Sequence, residues 1–303
     1  MKAYVLMGPT CVGKTESSLL LAEALKSEII SADSMQVYKY MDIGTAKPSL
    51  DKLRAVPHHM IDVALPTEEF SAGRFVAEAV PIIEELCKGG KHPVIAGGTG
   101  FYIRALSEGL FEGPEADWQL RQQLDSDEAN CEGFLYNLLC YIDPVTALKI
   151  KQGDKRRIIR ALEVIFKLGV PMSEAQKNTT PSVNCGFVKI CLTRERTELY
   201  RMIEDRVDVM VHDGLFEEAR VLFDMPLSKT TSRAIGYREA FSYFRGEVGR
   251  DEAVLNIKQA TRRYAKRQMT WFRAEKDINW IDITGIFDPK KIYDKIISLT
   301  STN

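Results

Sequence analysis

The chain lacks any C-x-x-C pair, although it carries six cysteines, at positions 11, 87, 131, 140, 185 and 191. They are dispersed through apolar stretches, which argues against a disulfide framework and fits a reducing, cytosolic compartment. Each reads as a small buried hydrophobe except Cys11, whose position leaves it a candidate reactive thiol. Net charge is nearly absent too, at a formal −1 over 303 residues. Nothing therefore pulls the whole molecule toward nucleic acid or a membrane, and any nucleic-acid site has to be a local patch. No apolar run approaches the length of a membrane span. Met1 leads almost directly into a strand-like run, so neither a membrane helix nor a signal peptide is expected. Internal repeats and low-complexity tracts are missing. What remains is the composition of an ordinary soluble protein, 45% hydrophobic and 27% charged, long enough for one large domain or two moderate ones.

One motif rises above that background. Gly8-Pro9-Thr10-Cys11-Val12-Gly13-Lys14-Thr15 is a complete G-x-x-x-x-G-K-[ST] phosphate loop. The apolar run Tyr4–Met7 before it reads as a buried strand, and the pattern from Lys14 to Leu25 reads as a helix, which is the context the motif requires. Backbone N–H groups of such a loop converge at the positive end of the helix dipole and make a site for a di- or triphosphate, a nucleotide such as ATP included. Lys14 adds a point charge, and the Thr15 hydroxyl can ligate Mg²⁺. A glycine-rich turn that binds nothing leaves the Lys-Thr pair unexplained.

The first third of the chain alternates strand-like runs (Tyr4–Met7, Glu28–Ala32, Val94–Ala96) with helical patterns near Lys14–Lys26 and Ala72–Lys88. That alternation predicts βαβ units and a parallel sheet, with ligands at the carboxyl ends of the strands. Those ends carry the phosphate loop, Asp33-Ser34 and Gly97-Gly98-Thr99-Gly100, which are expected to face one crevice. From about Gly109–Pro114 to Val183 the pattern is helical, with breaks at Asp143-Pro144, Gly153-Asp154, Gly169–Pro171 and the polar run Asn178–Asn184. Phe187–Leu192 then reads as a strand rejoining the sheet, and Asn279–Asp282 as a late strand. The predicted fold is α/β: a phosphate-loop, parallel-sheet core with helices on both faces (residues 1–111 and 185–303), interrupted by a helical insertion domain (residues 112–184).

Two local concentrations of positive charge break the neutral background. Residues 149–160 hold six basic residues and one acid, and residues 258–276 hold seven and one. At about 100° per residue, Lys258, Arg262, Arg263, Lys266, Arg267 and Arg273 share one half of a helix, with Ile257, Ala260, Tyr264 and Trp271 on the other. A solvated helix face is the plain reading of either run alone. The two together point to a polyanion footprint such as RNA.

Several polar residues remain ambiguous on spacing alone. Asp33, after Ile29-Ile30, fits a Mg²⁺ organiser, a general base or a helix cap equally well. Gly97–Gly100 permits close backbone approach but is a weak signal by itself. Arg233 is a lone cation near a glycine. His58-His59 has no completing acid or cysteine for a metal, and Asp62 is a bare candidate for Mg²⁺.

Taken together the residues resemble the bacterial tRNA dimethylallyltransferase (tRNA isopentenyltransferase) family nearly end to end. The resemblance rests on Gly8–Thr15, Asp33-Ser34-Met35-Gln36-Val37-Tyr38, Met41-Asp42-Ile43-Gly44-Thr45-Ala46-Lys47-Pro48, Pro57-His58-His59 and Gly97-Gly98-Thr99-Gly100. It continues through Arg156–Glu163, Ala234-Ile235-Gly236-Tyr237-Arg238 and the run Ala260–Trp271. It implies transfer of a dimethylallyl group from its diphosphate to N6 of adenosine 37 in tRNAs that read codons starting with U. On that resemblance Gly8, Pro9, Thr10, Cys11, Val12, Gly13, Lys14 and Thr15 hold the diphosphate. Lys14, a Mg²⁺ on Thr15 and Arg233 stabilise its departure, and Asp33 serves as base. Ser34, Met35 and Gln36 line the path of a flipped adenine, with Thr99 and Arg121 as further tRNA contacts. Arg156, Arg157, Ile158, Ile159 and Arg160 meet the anticodon stem, and Arg262, Arg263, Lys266 and Arg267 add tRNA contacts. A cytoplasmic monomer is expected. Cys11 departs from the small residue usual in the family, and no C-terminal zinc finger of the eukaryotic kind follows. Competing classes are a small-molecule phosphate-loop kinase, a prenyltransferase acting on free AMP or ATP, and an RNA-binding protein with a vestigial loop.

Overall fold

The computed structural model describes residues 1–111, 113–177, 183 and 185–300. The chain forms two compact units, Met1–Ser107 with Ser182–Asn303, and Glu108–Pro181. The expected insertion bounds, Glu112 and Asn184, and the polar run from Asn178 (Val183 apart) lie outside the described residues.

The first unit begins β1 (Lys2–Met7), α1 (Lys14–Ala24), β2 (Ile29–Ser31), α2 (Leu50–Ala55), β3 (His58–His59), α3 (Ala72–Lys88), β4 (Val94–Gly97) and α4 (Gly100–Glu108). The second unit supplies α5 (Trp118–Asn130), α6 (Phe134–Ile142), α7 (Pro144–Ala147), α8 (Lys155–Leu168) and α9 (Met172–Ala175). The chain returns as β5 (Gly186–Thr193), α10 (Arg196–His212), α11 (Leu215–Phe223), a 3₁₀ turn (Thr231–Arg233), α12 (Tyr237–Phe244), α13 (Arg250–Arg273), β6 (Ile278–Asp282) and α14 (Pro289–Thr300). The strands make one parallel sheet in the order β3-β2-β4-β1-β5-β6. Only the two-residue β3 had no strand-like signal in the sequence, because it is too short to show a period.

Both faces of the sheet are covered, which is why its strands read as continuous apolar runs rather than alternating ones. Ala3, Val5 and Met7 of β1 join Ile30, Ile95 and Cys191 under α3, α4, α11, α12 and α13, through Phe75, Ile103, Phe216, Phe241 and Phe272. Leu6 joins Ile29, Val94, Ile190 and Leu192 on the other face, under α1, α10 and α14, through Leu21, Ile203 and Ile296. Each of the larger side chains among these (Val, Leu, Ile, Met, Phe) contributes about 1.5–3 kcal/mol on burial. β1 lies at the centre, so the loop after it emerges between β4 and β5.

The helical unit has its own core, from Leu124, Leu135, Leu139, Ala147, Ile158, Ile159, Leu162 and Ile165. Its helices start where caps place them: Asp117 accepts from Leu120 N, Asp143 from Thr146 N and Asp154 from Arg157 N. Each cap is worth about 1 kcal/mol. Within this unit Glu163 is fully buried and takes Arg121 in a two-pronged ion pair (2.8 and 2.9 Å), the Asp117 N–H (2.7 Å) and Arg160. Burial pushes the Glu163 carboxyl up, but these donors outweigh it and hold the group below its ordinary value. Its stabilisation is therefore present at neutral pH and is lost as pH falls through the lowered pKa.

Candidate active site

The phosphate loop turns between β1 and α1, and the turn depends on backbone that most side chains resist. Gly13, at the N-terminus of α1, has φ +108°. Cys11 also sits in the left-handed region, at φ +66°. Burial pushes its thiol up despite the nearby Arg206 and Lys14 charges, so it stays protonated and the expected reactivity does not follow. The loop opens onto a cleft of roughly 230 Å³ lined by residues 10–16, Asp33, Gln36, Thr45, Ala46, His58, Gly97 and Arg206.

Lys14 folds over the loop and donates from Nζ to the carbonyls of Gly8 (2.9 Å) and Pro9 (2.8 Å). Burial lowers its pKa to about 8, with the Asp33 charge opposing the fall and Arg206 adding to it. An anion in the cleft would favour the ammonium and oppose that fall, so phosphate binding and protonation of Lys14 support each other. Thr15 lines the same wall.

Asp33 follows β2 and reaches the cleft. Its Oδ1 accepts from Met35 N (2.9 Å) and Gln36 N (3.4 Å), an aspartate turn that orients the carboxylate. Of the three roles open to it from sequence, the turn-capping one is thus realised by one oxygen. The segment is pinned further by Thr99, whose Oγ1 accepts from Ser34 N at 2.9 Å. Thr99 also meets Tyr264, whose hydroxyl is pushed up by burial and by the Asp33 charge. The ends of β1, β2 and β4 therefore meet, and Ser34, Met35 and Gln36 are half-buried beside the cleft.

Two residues that the sequence did not single out complete the loop's surroundings. Gln268 of α13 is buried; its Oε1 accepts from Thr10 N (2.9 Å) and its Nε2 donates to Gly98 O (2.9 Å). A Cβ on Gly98 would fall 2.2 Å from that Nε2 and displace the amide from its bonds. Arg206 of α10 donates from Nη2 to Thr10 Oγ1 (2.5 Å), and its buried Nε has no hydrogen-bond partner among the described residues. A glutamine within the buried stripe Ala253, Ile257, Thr261, Ala265, Gln268, Phe272 was the available signal for the first. Of the expected apolar half, Ile257 belongs to that stripe, whereas Ala260, Tyr264 and Trp271 are only half-buried. Arg206 carries no local signal at all.

The other expected residues lie in varied places. Arg233 is exposed at the end of its 3₁₀ turn and does not line the cleft; the guanidinium there is Arg206. Ile158 and Ile159 point into the core of the helical unit, so their side chains do not face RNA. Arg121 and Arg160 are both half-buried and paired with Glu163. Arg156 and Arg157 are exposed, the latter beside Asp154 at 3.4 Å. On α13, Arg262 pairs with Glu204 and Lys258 with Asp208, while Arg263, Lys266 and Arg267 are exposed. Asp62 receives Lys47 Nζ at 2.6 Å, and His59 pairs with Glu28 at 2.7 Å, which accounts for both without a metal. Among the described residues no group of three or more His, Cys, Asp or Glu could hold a metal ion, and no helix is long and apolar enough to cross a membrane.

Comparison with known proteins agrees with this architecture. The family model described as IPP transferase matches residues 36–275. A tRNA dimethylallyltransferase of Thermodesulfovibrio yellowstonii is 50% identical over 99% of this chain and 98% of its own, and one of Halothermothrix orenii is 46% identical over 98% and 92%. Among solved structures, a tRNA isopentenylpyrophosphate transferase of Bacillus halodurans is 40% identical with a TM-score of 0.72, covering 98% of this chain and 96% of that one. A eukaryotic dimethylallyltransferase caught acting on tRNA is 27% identical with a TM-score of 0.84, covering 100% and 80%. With its parallel sheet, its loop between β1 and α1 and this end-to-end likeness, the chain belongs to the IPP transferase family, the tRNA dimethylallyltransferases.

Proposed function

We propose that this enzyme transfers a dimethylallyl group from dimethylallyl diphosphate to N6 of adenosine 37 in tRNAs reading UNN codons, giving N6-isopentenyladenosine. The observation that carries the reading is one cleft lined by both the phosphate loop and Asp33. The loop's N–H groups, Lys14 and Arg206 bind the diphosphate and stabilise the charge that grows as the carbon–oxygen bond breaks. N6 forms the new bond to the allylic carbon, and the free oxygen of Asp33 takes the proton as positive charge develops on the amine. The base must leave the anticodon-loop stack to enter the cleft, and a single-stranded loop makes that extrusion cheap. Ser34, Met35 and Gln36 form its path.

The donor set suits a cation shared with substrate rather than one caged by protein. Thr15 supplies one hydroxyl, and Mg²⁺ commonly takes one or two protein ligands plus phosphate oxygens. Mg²⁺ held there would neutralise charge on the diphosphate. The exposed Arg156, Arg157, Arg263, Lys266 and Arg267 supply positive charge for tRNA phosphates. The reading includes a monomer working on tRNA in the cytoplasm.

The test is label transfer from radiolabelled dimethylallyl diphosphate, with unmodified tRNA, AMP, or ATP plus small acceptors in parallel. Label should arrive on tRNA alone, and Asp33→Ala should abolish transfer while tRNA still binds. Label on AMP, or near-normal turnover by Asp33→Ala, would overturn the substrate or the base assignment respectively.

A further inference from the structure

Two conspicuous sequence blocks, residues 41–48 and 234–238, have no role in the chemistry above, and the structure joins them through Glu218 of α11. Its Oε2 accepts from the N–H groups of Asp42 (2.9 Å) and Ile43 (2.8 Å), and its Oε1 from Gly44 N–H (3.0 Å) and the Tyr237 hydroxyl (2.6 Å). Three consecutive backbone donors and a phenol thus close on one carboxylate. The fit leaves no slack, because a Cβ on Gly44 would lie 2.5 Å from the Tyr237 ring.

The segment held this way goes on to form a wall of the cleft. Thr45, Ala46 and Pro48 line it. Ala46 adopts φ +51°, a left-handed conformation that an alanine keeps only when its surroundings enforce it. The Thr45 hydroxyl donates to Met41 O (2.6 Å), and Lys47 Nζ donates to Tyr38 O (2.9 Å), closing the segment on itself. The carbonyls of Thr45 and Ala46 then receive the Gln36 amide (3.4 and 3.3 Å), whose Oε1 accepts from Ser31 Oγ (2.9 Å). A chain of contacts therefore runs from Glu218, outside the cleft, to the amide beside Asp33.

We infer that Glu218 is a positioning residue: by gripping residues 42–44 it sets the carbonyls that orient Gln36 in the path of the incoming adenine. The inference rests on the proposed function for the identity of that substrate. Glu218 itself touches no reacting atom.

A double-mutant cycle between Glu218→Gln and Gln36→Ala tests it, scored as kcat/KM for tRNA. The amide replaces an acceptor oxygen with a donor that faces N–H groups, so Glu218→Gln should lower kcat/KM about 10²-fold, the scale of a misplacement of about 1 Å in a reactive site. The affinity for dimethylallyl diphosphate should stay unchanged, because the phosphate loop is anchored elsewhere. In the Gln36→Ala background the same change should cost little. Full additivity of the two losses would overturn the inference. A Gln36→Ala enzyme with wild-type kinetics would instead overturn the reading of the adenine path. Tyr237→Phe, which removes one of the four donors, should show the same coupling at smaller amplitude and serves if Glu218→Gln does not fold.

Discussion

The cleft of the sheet unit and the basic face of the helical unit are both rich in cations, yet they use them in opposite ways. In the cleft, Lys14 and Arg206 are held by oxygens of the loop itself, carbonyls and one hydroxyl, and among the described residues no carboxylate pairs with either. In the helical unit, Arg121 and Arg160 meet a carboxylate with no exposure, and Lys155 pairs with Asp125 at 2.8 Å. Neutral partners leave a cation's charge available to a ligand, whereas a buried carboxylate consumes it for the fold. Proximity of arginines in the sequence is therefore a poor guide to binding; what each one faces decides.

That contrast can be broken by substitution. The largest effect is expected at Arg206: changing it to alanine should lower kcat roughly 10²–10³-fold, as for loss of one transition-state donor. Arg233→Ala, on an exposed turn, should stay within about twofold, in keeping with surface sites generally. Steady-state prenyl transfer measures both, and a reversed order would restore Arg233 to the site. The next effect is structural. Arg121→Ala leaves Glu163 short of a partner and should destabilise the helical unit by about 3 kcal/mol, seen as faster hydrogen exchange across residues 118–168 with the sheet unit unchanged. Equal exchange in wild-type and variant would show that Arg121 is free after all. The smallest effect belongs to Arg156, exposed and without an ion pair among the described residues. Its alanine variant should reduce the salt slope of tRNA binding by about one and leave the fold alone, as read by filter binding at several salt concentrations.

How much of this was visible in the sequence follows from the range of each interaction. The phosphate loop, the strands that precede its partners and the helical interruption were legible because each is written in neighbouring residues: an apolar run, a glycine, a lysine. The corrected residues depend on contacts between distant parts. Arg206 reaches Thr10 across 196 positions and Gln268 reaches it across 258, so neither leaves a trace in local spacing. Within Arg156–Arg160, charge density cannot reveal that Ile158 and Ile159 face the core and that Arg160 turns toward Glu163. Glu218 escaped notice for the same reason: its partners are backbone N–H groups, which every residue but proline possesses.

The Gln268 amide has a consequence for how the enzyme is made. Gln268 is translated 258 positions after Thr10, yet its one side chain holds both the Thr10 N–H and the Gly98 carbonyl. During translation the nascent polypeptide thus carries its signature motif without a finished cradle until α13 has followed it out of the ribosome.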